Sequence, residues 1–391
     1  MKILSQRDVV IGGYAETPIE RRSGYTALEL AAQALESLLH QTGLTSPQVD
    51  GLALTLSQAE GGDPFWSNLV AETLGLSLRW SQVTDLGGAS AVANVARASA
   101  AIASGQCELV VCLAADAPTG RMIMRSGGYR EEFADSAGYA GPTMVFGLLG
   151  SAYAEAHGWP EAALARLAVA QRQSALLNSN ACSALRKPIN ETDYLASRPI
   201  ATPLRMLDCV MRCDGASAIL VCSRAKAREL GLERVVTPTA YREITNFDPH
   251  WRVQDLTTSG FSVVGPQALV DAGLRPDQVQ MLQPYDDFLL AVLLQIEQMG
   301  FAEPGHGADF LLSHGLGHDG DFPINTGGGQ ISAGQPGLAG GGVNLVEAVR
   351  QLMGQGGDRQ VPHPRNAVVT GIGAMQYARN WGTSAVLVLE A

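Results

Sequence analysis

Short apolar runs of strand length alternate with amphipathic runs of helix length through the first third of the chain, and that alternation restricts it to a layered α/β fold. Asp8–Tyr14 reads as a strand. Over Tyr25–Leu39 the apolar Leu28, Ala31, Ala32, Leu35 and Leu39 recur at helical spacing. Val49–Leu56 follows as a strand, Phe65–Leu74 as a helix and Trp80–Leu86 as a strand. Ser90–Ser104 is a helix of Ala, Val and Ile, apolar nearly all round, so it should be buried. Leu109–Leu113 is unbroken apolar, the pattern of a strand inside a sheet covered on both faces.

A long, partly helical excursion at about 117–206 interrupts the alternation. Ser217–Cys222 resumes it as a strand, followed by a basic helix around Arg224–Leu230. The pattern then runs again: strand Val235–Tyr241, helix Pro266–Ala272, strand Val279–Gln283, apolar helix Phe288–Met299, a strand end at Phe322–Asn325. Helix Gly341–Met353 and strands Ala367–Gly371 and Ala385–Leu389 close the chain. The helix-to-strand passage Ala101–Gly105 into Leu109–Val111 has its counterpart in Val349–Gly354 into Ala367–Val369. Two similar halves, about 1–230 and 231–391, are the organisation this predicts.

The 391 residues, 46% hydrophobic and 17% charged, suffice for a large core. A net charge of −11 argues against nucleic acid or an anionic membrane as the main partner. No apolar run approaches the ~18 residues of a membrane span. Met1–Arg7 is too short and too quickly charged for a secretory signal, so a cytoplasmic location is expected. Cysteines 107, 112, 182, 209, 213 and 222 complete no zinc spacing and read as reduced, buried thiols. His314 and His318 sit in a glycine-rich loop rather than on a helix, so no metal is expected there.

Several segments point further. Thr84-Asp85-Leu86-Gly87-Gly88-Ala89-Ser90-Ala91 leaves a strand and opens the small-residue helix that ends at Ile102-Ala103-Ser104-Gly105. Asn325-Thr326-Gly327-Gly328-Gly329 leads into Gly334-Gln335-Pro336. Ala175–Ala181, Tyr194–Arg205, Asp214–Ala218, Tyr285-Asp286-Asp287-Phe288 and Gly371-Ile372-Gly373 fall around them. In this order the segments resemble the thiolase superfamily, above all its sterol-carrier-linked and lipid-transfer-like branch. The resemblance implies an α/β thiolase fold: duplicated βαβ-rich halves in α-β-α-β-α layers with an inserted loop domain. It implies a homodimer too, joined along the strand near Trp80–Leu86. It places Gly88 where thiolases carry their nucleophilic cysteine, Ser90 at their structural serine, and Gln335 at the histidine of their Gly-His-Pro.

Gly88 cannot form a thioester, and Gln335 has no proton to exchange near neutral pH. No cysteine falls near Thr370, where the family's second one lies. Thiolysis is therefore not expected, but useful groups survive. A helix starting near Gly88 points N–H groups into the cleft. Loops centred on Gly328 and ending at Gly373 can bring main-chain donors to a thioester carbonyl, and Asn325 and Gln335 add amides.

Tyr285 is the candidate acid/base, with Asp286 as its orienter or charge partner. Donors around it would favour its phenolate. The alternative is a packed strand-end aromatic.

These parts suit retro-aldol cleavage of a 3-hydroxyacyl-CoA, which needs no cysteine and no cofactor beyond the coenzyme A of the substrate. The resemblance implies a precedent in steroid side-chain aldolases, which act with a small OB-fold, zinc-ribbon acyl-CoA-binding partner. Those enzymes carry a second tyrosine near the position of Gln335; here there is none. Tyr377 and Tyr129, each in a loop, are the other tyrosines that could reach substrate. Two further functions stay open: a non-catalytic acyl-CoA or lipid-binding subunit, and acyltransferase activity of the acetyl-CoA acetyltransferase kind.

Overall fold

The apolar runs become two sheets. The computed structural model describes residues 8–60, 65–120, 136, 141–248, 255–373 and 381–391. The first sheet holds β1 (Val9–Glu16), β2 (Gly51–Thr55), β3 (Trp80–Thr84), β4 (Leu109–Asp116) and β7 (Gly215–Ser223), in the order β1-β7-β4-β2-β3. Two short strands, β5 (Pro199–Ala201) and β6 (Leu204–Arg205), pair in the insertion between β4 and β7. The second sheet holds β8 (Thr237–Thr245), β9 (Leu282–Gln283), β10 (Asn366–Ile372) and β11 (Thr383–Glu390), in the order β8-β11-β10-β9. That order repeats β1-β7-β4-β2. A parallel bridge from Leu282 to Ile324 stands where β3 stands in the first sheet.

Every residue of β4 and β10 is buried, as unbroken apolar strands require between two covering layers. Helices Ser90–Ala103 and Gly341–Leu352 form the middle layer, with Val92, Val95, Leu345 and Val349 packed among Val110, Ile219, Val369 and Leu387. Helix Ala27–Thr42 covers the outer face of the first sheet through Leu30, Leu35 and Leu38. Thr26 and Glu29 cap its start reciprocally and Gly43, at φ 69°, ends it. Helices Phe261–Ala272 and Leu289–Gln298 cover the outer face of the second sheet. The layering is α-β-α-β-α.

Two elements depart from expectation. The helix expected from Pro266 begins at Phe261 and keeps Pro266 inside. Phe261 is fully buried with its ring 5.3 Å from that of Trp381, and such burial outweighs one lost helical hydrogen bond. The strand expected over Val279–Gln283 shrinks to its last two residues, because Pro276–Gln278 closes a 3-10 turn just before. Among the described residues no helix is long and apolar enough to cross a membrane.

The two halves feed the middle layer alike. β3 passes through Gly87–Ala89 into helix Ser90–Ala103, and Ile324 passes through the glycine-rich 325–340 segment into helix Gly341–Leu352. Both helices therefore start at the same end of the molecule.

Candidate active site

The helix starts touch. A Cβ added at Gly341 would lie 2.2 Å from the Gly88 carbonyl oxygen. A Cβ added at Gly88 would lie 2.2 Å from both Cζ and the hydroxyl oxygen of Tyr285. No side chain fits between, so the phenol lies directly over the Gly88 α-carbon. A side chain at position 88 and the Tyr285 ring therefore exclude each other.

Tyr285 is 5% exposed and gripped through its backbone. Its N–H donates to Thr370 Oγ1 at 2.8 Å, and its carbonyl accepts from Gln295 Nε2 at 2.8 Å. Thr370 in turn donates to Gln295. The phenol oxygen accepts from Gln335 Nε2 at 3.3 Å. Gln335 is fixed in turn, its N–H donating to Met211 O at 3.0 Å and its carbonyl accepting from Cys213 N at 2.8 Å.

Burial first, and then the nearby Asp287 carboxylate, push the Tyr285 phenol well above its ordinary range. The amides of Gln335 and Gln330 oppose this and lose. The expectation of a phenolate is thus overturned: desolvation and a like charge exceed the pull of two neutral donors. The Tyr285 phenol is held in its neutral form.

Asp286 is turned to other work. Its carboxylate accepts from the N–H groups of Gln330 at 2.9 Å and Ile331 at 3.2 Å, and from the amides of Gln171 at 3.0 Å and Asn344 at 3.2 Å. It thereby anchors the start of the short helix Gly329–Ala333. A Cβ at Gly329, where φ is +56°, would lie 2.1 Å from that carboxylate. Burial raises Asp286 to about 7 in spite of its four donors.

The other expected residues divide. Ser90 Oγ, 1% exposed, accepts from Leu86 N at 2.9 Å and braces the turn. Asn325, at φ 45°, donates from Nδ2 to Pro284 O at 3.2 Å. The N–H of Gly328 donates to Asn325 O, and that of Gly373 to Thr383 O, each at 2.8 Å. Both glycine N–H groups are thus engaged within the protein. Tyr377 and Tyr129 lie outside the described residues. His314 stacks on Phe310 with ring centroids 4.1 Å apart.

Sequence reasoning missed Gln295, Asn344, Gln330 and Asp287. The first two had a signal: each is a fully buried polar residue flanked on both sides by apolar ones, Leu294 and Ile296 or Val343 and Leu345, a placement that demands a partner.

Known proteins resemble this chain over most of its length. The thiolase N-terminal domain family matches residues 9–187, and the thiolase C-terminal domain-like family matches residues 246–390. The chain is 32% identical over 367 residues to the 17-hydroxy-3-oxo-4-pregnene-20-carboxyl-CoA lyase of Mycobacterium tuberculosis, covering 88% of this chain and 91% of that one. It is 29% identical over 362 residues to the steroid side-chain-cleaving aldolase of Thermomonospora curvata, covering 88% and 90%. The solved Ltp2–ChsH2(DUF35) aldolase superimposes with a TM-score of 0.87 at 27% identity over 99% of both chains. The chain belongs to the thiolase superfamily.

Proposed function

We propose that the protein is a carbon–carbon lyase that cleaves a 3-hydroxyacyl-CoA by retro-aldol chemistry, the acyl group being steroid-like. The observation that carries this reading is the neutral Tyr285 phenol seated over Gly88, where the two middle-layer helices begin. The names of the two curated relatives, a steroid carboxyl-CoA lyase and a side-chain-cleaving aldolase, support the reaction class.

A base removes the β-hydroxyl proton, and the O–H electron pair becomes the carbonyl of the departing ketone. The α–β carbon bond breaks and its pair passes into the thioester enolate. The converging helix starts at Gly88 and Gly341 favour negative charge on the enolate oxygen. Tyr285 then delivers a proton to the α-carbon. The reaction consumes no redox equivalent, so it calls for no redox cofactor, and coenzyme A enters as part of the substrate.

We place the enzyme in the cytoplasm as a twofold dimer along β3, an edge strand of its sheet. A small OB-fold, zinc-ribbon subunit would hold the acyl-CoA, in keeping with the two-component aldolase it superimposes on.

Tyr285→Phe tests the assignment. Turnover, followed by mass spectrometry with the partner subunit present, should fall by about 10²–10⁴-fold with acyl-CoA affinity retained. Undiminished turnover in the variant contradicts the role.

A further inference from the structure

We propose that Gln330 is a positioning residue for the proton step: it fixes the Gln335 amide with an N–H on the Tyr285 oxygen, and it supplies a second N–H when that oxygen becomes an anion. The proposal rests on the retro-aldol reading and explains how a phenol held neutral can give up its proton.

The contacts run in one chain. Gln335 Nε2 carries two hydrogens and both are used, one on the Tyr285 oxygen at 3.3 Å and the other on Gln330 Oε1 at 3.2 Å. By accepting, Gln330 sets which way the Gln335 amide faces. Were Gln335 to turn its oxygen to the phenol instead, it would lose its hydrogen bond to Gln330 Oε1. Gln330 is itself held through its backbone, its N–H donating to Asp286 Oδ1 at 2.9 Å and its carbonyl accepting from Gly334 N at 3.0 Å.

A glycine leaves room for the pair. A Cβ added at Gly340 would lie 2.1 Å from Gln330 Oε1 and 3.0 Å from Gln335 Cγ. Gly340 immediately precedes Gly341, whose own added Cβ would meet the Gly88 carbonyl oxygen. The two amides thus reach from the start of the middle-layer helix to the Tyr285 hydroxyl.

Gln330 has a second feature. Its side chain is fully buried, yet Nε2 has no hydrogen-bond partner among the described residues. An enclosed N–H without an acceptor is costly, and a methionine of similar size would avoid that cost. Stability alone therefore does not account for the amide. Like that of Gln335, it favours the charged form of the phenol. A neutral phenol oxygen offers this N–H little, whereas a phenolate is a strong acceptor. The donor is matched only in the state the reaction creates, which is where stabilisation raises the rate.

The step balances. The Tyr285 O–H bond breaks and its proton joins the α-carbon of the enolate, whose electron pair forms the new C–H bond. The O–H pair stays on the phenol oxygen as a phenolate, which accepts from Gln335 and Gln330. The proton that the base took from the β-hydroxyl then returns to the phenolate.

The experiment compares kcat, KM and melting for the wild type, Gln330→Met and Gln330→Glu, with the partner subunit and a cleavable 3-hydroxyacyl-CoA. Gln330→Met should lose about 10–100-fold in kcat with KM unmoved. It should melt no lower than the wild type, because an unpaired buried donor is gone. In a Tyr285→Phe background the same change should cost no further turnover, since its effect passes through the phenol. Gln330→Glu keeps an acceptor for Gln335. Its protonated carboxyl can donate to the phenolate and its ionised form repels it, so turnover should fall as pH rises, through a limb that the wild type lacks. The ionisable groups around this position are Asp286 and Tyr285, while Arg172 on the neighbouring helix goes to Ser332. This profile decides the matter if Gln330→Met fails to fold. Near-wild-type kcat in Gln330→Met, an equal loss with and without the Tyr285 hydroxyl, or a wild-type pH profile in Gln330→Glu overturns the role of Gln330 alone. A silent wild type overturns the retro-aldol reading, and this proposal with it.

Discussion

A side chain at 88 and a ring at 285 exclude each other, so each residue is intelligible only through the other. Gly88→Ala should cost about 1–3 kcal/mol in urea unfolding, the usual penalty of overpacking. In a Tyr285→Ala background the same change should cost less than about 0.5 kcal/mol, because the clash is gone. Equal costs in both backgrounds would contradict the contact. Asp287 gives a second prediction. Its folded carboxyl is raised to about 8, against about 4 in an unfolded chain. Between those values the folded state keeps a proton that the unfolded state has released. This contribution is complete below pH ~4 and drains away as pH rises toward 8, by about 1.4 kcal/mol per unit. Asp287→Asn lacks the effect, so the wild type should weaken relative to it between pH 5 and pH 8. A constant difference would show that the carboxyl is not raised. At this scale Gly88 and Tyr285 were visible in the sequence as anomalies, but their contact was not, since nothing in a linear chain marks which strand end faces which helix start. The phenolate expectation failed for the same reason: the sequence displays donors, whereas burial and the nearness of the Asp287 charge belong to the folded molecule.

At the scale of elements, the site depends on a short helix that could not form alone. Gly329–Ala333 has five residues, and the N–H groups at its start rest on Asp286. Asp286→Ala should therefore lower stability by about 3 kcal/mol and lower activity with it, as four donors lose their acceptor. Tyr285→Phe should lower turnover alone. Paired melting and rate measurements separate the two, and an Asp286→Ala variant of unchanged melting temperature would contradict the anchoring role. The middle-layer helices and the central strands were legible, because apolar period and length alone define a fully buried element. Pro266 hid the first turn of its helix because the ring of Phe261 does what local propensity cannot. The 325–340 segment has no period, so it could be read only as a glycine-rich motif.

Across the whole molecule, one buried charge cluster ties the halves behind the site. Glu347 accepts from Thr326 Oγ1 at 3.0 Å and pairs with Arg350 at 2.6 Å and Arg359 at 3.0 Å, and Arg350 reaches across to Glu16 on β1. Burial alone would raise the Glu347 carboxyl, and the two arginines more than reverse it, so it stays ionised. Glu347→Gln leaves two enclosed guanidinium groups underpaired and should cost about 3–5 kcal/mol. A loss under about 1 kcal/mol in urea titration would mean that the cluster does not couple the halves. The duplicated layering was readable from repeated alternation, whereas a cluster joining β1 to the last middle-layer helix leaves no local trace. The account as a whole turns on bond cleavage by a protein without a nucleophile. The most direct measurement incubates the purified protein and its partner subunit with a branched 3-hydroxyacyl-CoA in the absence of free coenzyme A and identifies products by mass spectrometry. A ketone and a shortened acyl-CoA in equal amounts are predicted; cleavage only when free coenzyme A is added would contradict the account.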